Sequence, residues 1–305
     1  LSHFEMNVET QNKLMNISLS TNTVTISKSF DQTENEDFPF KHNLEEEEYS
    51  LWVVCDGAGG SGVFCKEWAK HIAENIPLNP IEFESNYKNW FSEISERFYE
   101  DVLSKADLSD LILNKKVHRD GSNSTMSALW VNKRKNDIYF SNVGDSCIFY
   151  FEQTQNKFTP KFITPYNAFN EIEPPSPTLL NWNEPITNSI EFGYEEIKNN
   201  FIIVIASDSL SRWIIQALSI IDYASCSKLF KTNFLQSLNT GKYEERKVAI
   251  HLNSTYSSTD ELLKYLQKSA ESIEFFKHNL KELIESEQID LDDYSLIFIE
   301  GNVSK

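Results

Sequence analysis

Leu51-Trp52-Val53-Val54-Cys55-Asp56-Gly57-Ala58-Gly59-Gly60 is the stretch from which the rest of the chain is best understood. Its apolar opening is a β-prone run of the kind buried on both faces of a sheet. The run ends directly on an aspartate, and the glycines behind it suit a tight backbone path. An ionised carboxylate beside a buried strand is costly unless something positive neutralises it. The same juxtaposition recurs in Tyr139-Phe-Ser-Asn142-Val-Gly144-Asp145-Ser146, in Phe201-Ile-Ile-Val-Ile-Ala-Ser207-Asp208, and in Asp292-Asp293-Tyr-Ser295-Leu-Ile-Phe-Ile. Arg and Lys total 28 against 46 acids, so side-chain cations are scarce. Carboxylates converging on hard divalent ions would resolve the cost, because magnesium and manganese prefer oxygen ligands completed by water. Taken singly, each place has a plainer reading: Asp before Gly is a common turn residue, and Asp208-Ser209 or Asp292-Asp293 suits a helix cap or hairpin turn. Four such places in one chain strain that reading.

Outward from Asp56 the period changes. Phe64, Trp68, Ile72 and Ile76 recur every four residues with Ala69 and Ala73 beside them, and Trp90, Ile94, Phe98 and Val102 repeat the pattern. Both are helical stripes that predict core contacts. Upstream, Thr23 to Ser29 reads as a strand, and Glu45 to Glu48 as a solvated loop or hairpin tip. Strands return at Thr125 to Val131, Asp137 to Asn142 and Cys147 to Phe151, the first two joined at Lys133-Arg134-Lys135. The proline-rich segment 162–190 reads as an irregular flap. Phe201 to Ala206 is a fully buried strand, 211–288 is mainly helical, and Leu296 to Ile299 is a closing strand. The pattern predicts one domain over residues 1–305, with two packed sheets flanked by helices. The chain opens on Leu1, and residues 1–10 are expected to be trimmed or disordered.

The 305 residues carry a formal net charge of -18, which repels nucleic-acid phosphate and anionic lipid. Neither nucleic acid nor membrane is expected as a partner, since no stretch approaches a bilayer span and no secretory signal is seen. Cys55, Cys65, Cys147 and Cys226 are scattered without a CxxC pair, which suits the cytoplasm better than a disulfide or zinc framework.

Asp56-Gly57-Ala58-Gly59-Gly60 resembles the Asp-Gly-x-Gly-Gly segment of the metal-dependent (PPM, type 2C) protein phosphatases. In chain order, Asn35-Glu36-Asp37, Gly121-Ser122-Asn-Ser124-Thr125, Asn142-Val-Gly144-Asp145-Ser146, Ala206-Ser207-Asp208 and Asp292-Asp293-Tyr294-Ser295 resemble the family's other motifs. The set spans Asn35 to Ile299, with a divergent, bacterial-like character. The resemblance implies an α+β fold, a four-layer α-β-β-α sandwich of two mainly antiparallel sheets flanked by helices. It implies hydrolysis of phosphoserine or phosphothreonine in proteins, in partnership with a cognate serine/threonine kinase. The cofactor would be two Mn2+ or Mg2+ ions, with a third more labile one. Asp56 would bridge the two ions and the Gly57 carbonyl would bind one. Glu36 would reach an ion through water or weakly, Asp208 and Asp292 would complete the other ion's shell, and Asp145 would serve the third ion. Asp56, Asp208 and Asp292 are then the catalytic set. Such a pair of ions generates hydroxide near neutral pH and clamps the phosphoryl group.

The sequence also departs from the family pattern. Asp31-Gln32-Thr33-Glu34 lies where an Arg usually grips the substrate phosphate. Ala58 replaces a His used by many members, Ser209 replaces a Gly, and Ser211-Arg212 stands where an acid often follows. His118, Arg119 and Arg212 are the candidate substitutes for the missing Arg. A catalytically weak or inactive binding module, or a phosphoesterase acting on a small molecule, are the alternative readings.

Overall fold

The computed structural model describes residues 16–30, 34–58, 60, 62–165, 179–186, 190–230, 232–237 and 239–304. The strands in chain order are β1 (Asn16–Ile26), β2 (Phe38–His42), β3 (Tyr49–Cys55), β4 (Asn123–Ser124), β5 (Met126–Asn132) and β6 (Asp137–Val143). They continue with β7 (Cys147–Thr154), β8 (Lys157–Thr164), β9 (Leu180–Asn181), β10 (Glu191–Glu196), β11 (Phe201–Ala206) and β12 (Tyr294–Ser304). The helices are α1 (Cys65–Glu74), α2 (Pro80–Asp101), α3 (Leu111–Arg119), α4 (Asp208–Ile221), α5 (Tyr223–Leu229), α6 (Thr232–Ser237), α7 (Lys242–Asn253), α8 (Thr259–Glu271) and α9 (Ile273–Glu285).

Two five-stranded sheets form, in the orders β1-β12-β11-β7-β8 and β10-β6-β5-β3-β2, with every pairing antiparallel. The apolar runs noted in the sequence are continuous because both faces of these strands are covered. Along β3, Trp52 and Val54 point between the sheets while Leu51, Val53 and Cys55 face α1 and α2. Along β11, Phe201, Ile203 and Ile205 point between the sheets, whereas Ile202, Val204 and Ala206 face the helices of the other side. This is the period of two expected of a strand. The result is a four-layer α-β-β-α sandwich, the α+β architecture that the motif resemblance implies.

The helices start where local chemistry says they should. Asn79 accepts from the Ile81 and Glu82 amides with Pro80 at the first helical position of α2, and Ser258 and Ser272 cap α8 and α9. On α1 and α2, the stripe residues Trp68, Ile72, Trp90, Ile94 and Phe98 are buried as core.

Several sequence expectations need correction. The segment 162–190 is not irregular throughout, because Phe162 to Thr164 end β8 and Leu180–Asn181 form β9, pairing with β4. Its residues 166–178 and 187–189, like residues 1–15 and 31–33, lie outside the described residues. β1 and β12 are longer than their apolar cores suggest, since they pair along eleven residues from Asn16↔Ser304 to Ile26↔Tyr294. β2, β10 and α3 had no clear signal in the sequence. β2 and β10 are edge strands whose polar residues and proline mask the alternation.

The layer between the sheets holds the molecule together. Ile203 is fully buried there, and Ile203→Ala is expected to cost about 2–5 kcal/mol of unfolding free energy in denaturant titrations. A loss under about 1 kcal/mol would mean that the two sheets are not closely packed at this point.

Candidate active site

The antiparallel registers bring the acidic motifs together. Ala206, at the end of β11, lies opposite both Leu296, near the start of β12, and Cys147, at the start of β7. In the other sheet, Cys55, at the end of β3, lies opposite Phe38, at the start of β2, and Met126 of β5 lies opposite Val143 of β6. Asp56, Asp37, Asp145, Asp208 and Asp292 therefore leave their strands at the same end of the sandwich. No two of these motifs are adjacent in sequence.

Backbone and hydroxyl contacts fix this end. The Asp56 amide donates to Thr125 Oγ1 at 3.1 Å and the Thr125 amide returns a bond to the Asp56 carbonyl at 2.8 Å. Thr125 Oγ1 lies 2.9 Å from Ser146 Oγ, and Asn142 Nδ2 donates to the Ser146 carbonyl at 2.8 Å. The serines and asparagines of the motifs are thus braces between loops. Gly57 follows Asp56 because a β-carbon there would come within 2.8 Å of the Glu36 carbonyl oxygen and 2.9 Å of that of Cys65. Gly144 has φ +95°, and a side chain would strike Thr125.

Asp293 organises the loop that carries the upstream acids. Its Oδ1 accepts from the Lys28 amide at 2.7 Å and its Oδ2 from the Glu36 amide at 2.8 Å. Asn35 reinforces the loop, donating to Thr25 Oγ1 at 2.6 Å and accepting from the Asp37 amide at 3.0 Å. Asp292 instead accepts from Ser209 Oγ at 2.6 Å and from the Asp293 amide at 3.0 Å. Both aspartates precede β12, so the alternation of a strand does not govern which way they face. Ser209, where the family pattern has Gly, also donates its amide to Asp208 Oδ1 and so ties Asp208 to Asp292.

The electrostatics follow from burial and crowding. Asp37 is almost fully buried, and neither carboxylate oxygen has a hydrogen-bond partner among the described residues. Its carboxyl is pushed up to about 8, chiefly by burial; the nearby Ser207 and Ser295 hydroxyls oppose the rise, and the charges of Asp293 and Asp208 add to it. Asp56 is raised well above the ordinary range by removal from water and then by Asp37, Asp208, Asp292 and Asp145. Asp208 is raised by burial, against the pull of Arg212, and Asp292 by burial and the charge of Asp208. Glu36 is raised by burial, opposed by Lys28 and reinforced by Asp293 and Asp292.

The charges of Asp145, Asp208 and Asp292 thus all bear on Asp56, and that of Asp292 also bears on Glu36. Gly57 is held by its amide on the Glu36 carbonyl at 3.2 Å. Asp37 belongs to the same cluster and was not singled out from sequence. The one signal for it was its place directly after Glu36 in the Asn35-Glu36-Asp37 motif. Of the candidate phosphate-gripping cations, Arg119 is exposed and paired to Asp120 at 2.7 Å, and His118 meets Asn183 through its carbonyl. Arg212 alone reaches the acids, 2.5 Å from Asp145 Oδ2 and 3.2 Å from Asp208 Oδ2. Lys28 is a further cation near Glu36.

As the side chains stand, no three or more His, Cys, Asp or Glu residues among the described ones are arranged to hold an ion. Ser209 and Arg212 hold Asp208, Asp292 and Asp145 in local contacts. The donor chemistry nonetheless fits hard divalent ions. The cluster offers only oxygens, and the unpartnered carboxylate of Asp37 is a group that a cation or a proton must satisfy.

No family model matches the sequence, and no curated protein matches it. Among solved structures, a bacterial serine phosphatase is similar with 13% identity over 93% of this chain and 98% of that one, at a TM-score of 0.47. The serine/threonine phosphatase of S. agalactiae is similar with 14% identity over 92% and 99%, at 0.44. RsbX in complex with magnesium is similar with 13% identity over 95% and 100%, at 0.42. No helix among the described residues is long and apolar enough to cross a membrane.

Two outcomes test this geometry. Asp293→Ala strands the part-buried Lys28 and Glu36 amides and is expected to cost about 2 kcal/mol in denaturant unfolding, near the low end of the roughly 1–3 kcal/mol for each group left unpaired. Asp292→Ala, which relieves like-charge crowding, should leave stability near or above the parent. Equal destabilisation by both would show that Asp293 does not hold the loop. The second outcome concerns pH. Raised carboxyl pKa values mean that the folded chain keeps protons which the unfolded chain has released, so each such group withdraws stability as pH climbs from its unfolded value of 3.8 through its folded one, about 8 for Asp37. In chelator, the Tm should fall between about pH 5 and pH 8, and manganese should restore it most at the upper end. A chelated protein whose Tm is flat over that range would contradict the picture.

Proposed function

We propose that the chain is a metal-dependent serine/threonine protein phosphatase of the type 2C class. The observation that carries the proposal is the gathering of Asp37, Asp56, Asp208 and Asp292 at one end of both sheets, flanked by Glu36 and Asp145, with a buried carboxylate left unpartnered. In this reading Asp56, Asp208 and Asp292 would hold two Mn2+ or Mg2+ ions, with the Gly57 carbonyl as an additional oxygen and Glu36 and Asp37 at the edge of the site. Bound there, the ions would supply Lewis-acid stabilisation of a phosphoryl group and activation of water near neutral pH.

The chain's own residues do the rest. Asp293 fixes the loop that presents Glu36 and Asp37, and Thr125 and Ser146 fix the turn that presents Asp56. The buried cysteines are not suited to act as nucleophiles, because burial pushes the thiols of Cys55, Cys65, Cys147 and Cys226 upward. The substrate would be a cytoplasmic phosphoprotein, phosphorylated by a cognate kinase. Lys28, exposed and close to Glu36, is the side chain we assign to meet its phosphate in place of the missing Arg.

Phosphate release from a phosphothreonine peptide is expected to require manganese and to be lost in Asp56→Asn, while circular dichroism of that variant stays native. Calorimetry should show its manganese binding lost as well. Ion binding without turnover in the parent would favour the non-catalytic module instead. Lys28→Ala should raise KM for the peptide at least about fivefold with kcat little changed, the mark of lost uniform binding. An unchanged KM would remove Lys28 from the assignment.

A further inference from the structure

Asp145 sits in the turn between β6 and β7, where the resemblance would put a third, labile ion. The structure shows a different cation there. Arg212 lies one helical turn after Asp208 on α4, a spacing that puts both side chains on the same face. Its Nη2 lies 2.5 Å from Asp145 Oδ2 and 3.2 Å from Asp208 Oδ2, so one guanidinium spans the two carboxylates. The three side chains are sheltered, with exposures of 28% for Arg212, 14% for Asp145 and 19% for Asp208.

Both halves of this bridge are anchored. The neighbouring Ser211 accepts from the Cys147 amide at 3.1 Å and donates to the Ala206 carbonyl at 2.8 Å, which ties the first turn of α4 to the strand after Asp145. Gly144, held at φ +95° against Thr125, sets the turn before Asp145. The Cys147 thiol also donates to the Asp145 carbonyl at 3.4 Å. A guanidinium stays charged at every accessible pH, and charge-assisted contacts to carboxylate are among the strong hydrogen bonds. A divalent ion at Asp145 would have to displace this group or sit beside its positive charge.

We infer that Arg212 is a built-in cation that replaces the third ion, so that the site takes two metal ions and no more. The inference rests on the proposed metal-dependent reading. It assigns a purpose to two departures from the family pattern, the basic residue at 212 and the neighbouring Ser211. Asp145 then serves as the counter-charge that holds Arg212 and, through it, the orientation of Asp208.

The test is the number of Mn2+ ions bound by the full chain, counted by calorimetry and by electron paramagnetic resonance of the free ion. The parent should bind two. Arg212→Asp, which exchanges the cation for a further carboxylate, should bind three, the additional one weakly. Asp145→Asn should still bind two, and it carries the test if circular dichroism shows that Arg212→Asp does not fold. Three ions in the parent, two in folded Arg212→Asp, or one in Asp145→Asn would each overturn the inference while leaving the two-ion reading in place. A parent that binds none would overturn the metal-dependent reading itself, and this inference with it.

Discussion

The carboxylates crowded at one end of the sandwich are the constraint around which the rest of the structure is arranged. Burial raises the carboxyl pKa values of Asp37, Asp56, Asp208 and Asp292, and the charges of neighbouring acids raise them further. Such a cluster opposes folding unless protons or cations neutralise it. The fold accepts the cost because the strands that end there also form the dense layer between the sheets, with Trp52, Leu129, Ile203 and Ile297 fully buried. Stability is generated in the middle of the sandwich, and the strained electrostatics are confined to its rim.

Neighbouring acids in this rim divide their work. Asp293 spends both oxygens on backbone amides of a distant loop, while Asp292 faces Ser209 and the cluster. A carboxylate that accepts two amides is a structural brace, and its charge is satisfied without a metal. The same division separates Asp37 from Asn35: the amide side chain closes the loop and the carboxylate is left without a partner. Position in sequence distinguishes neither pair, whereas hydrogen bonding does.

Ser209 and Arg212 show how substitutions in a motif can be compensated within the same helical turn. A hydroxyl where glycine is expected links Asp208 to Asp292, and a guanidinium where an acid is expected links Asp208 to Asp145. Together they give Asp208 a fixed set of partners. The local charge is thereby less negative than the count of aspartates suggests, which bears directly on how many divalent ions the rim can attract.

The sequence by itself determined the strand-end acids, the buried strands, the two helical stripes on α1 and α2, and the two-sheet class. These are local signals: an apolar run covered on both faces is continuous, a helix facing a sheet repeats every three or four residues, and a buried strand ending on Asp is conspicuous wherever it occurs. β2 and β10 were lost because edge strands are polar on their open side, and β1 and β12 were undersized because pairing, not hydrophobicity, extends them to eleven residues. Only the tertiary structure decided that all five acidic motifs share one rim, since this depends on the antiparallel registers of strands far apart in sequence. It alone brought Asp37 into the cluster, made Asp293 a brace, and placed Arg212 on Asp145. Those roles are set by distances of a few ångströms between residues up to 265 positions apart in the chain, and no local pattern encodes them.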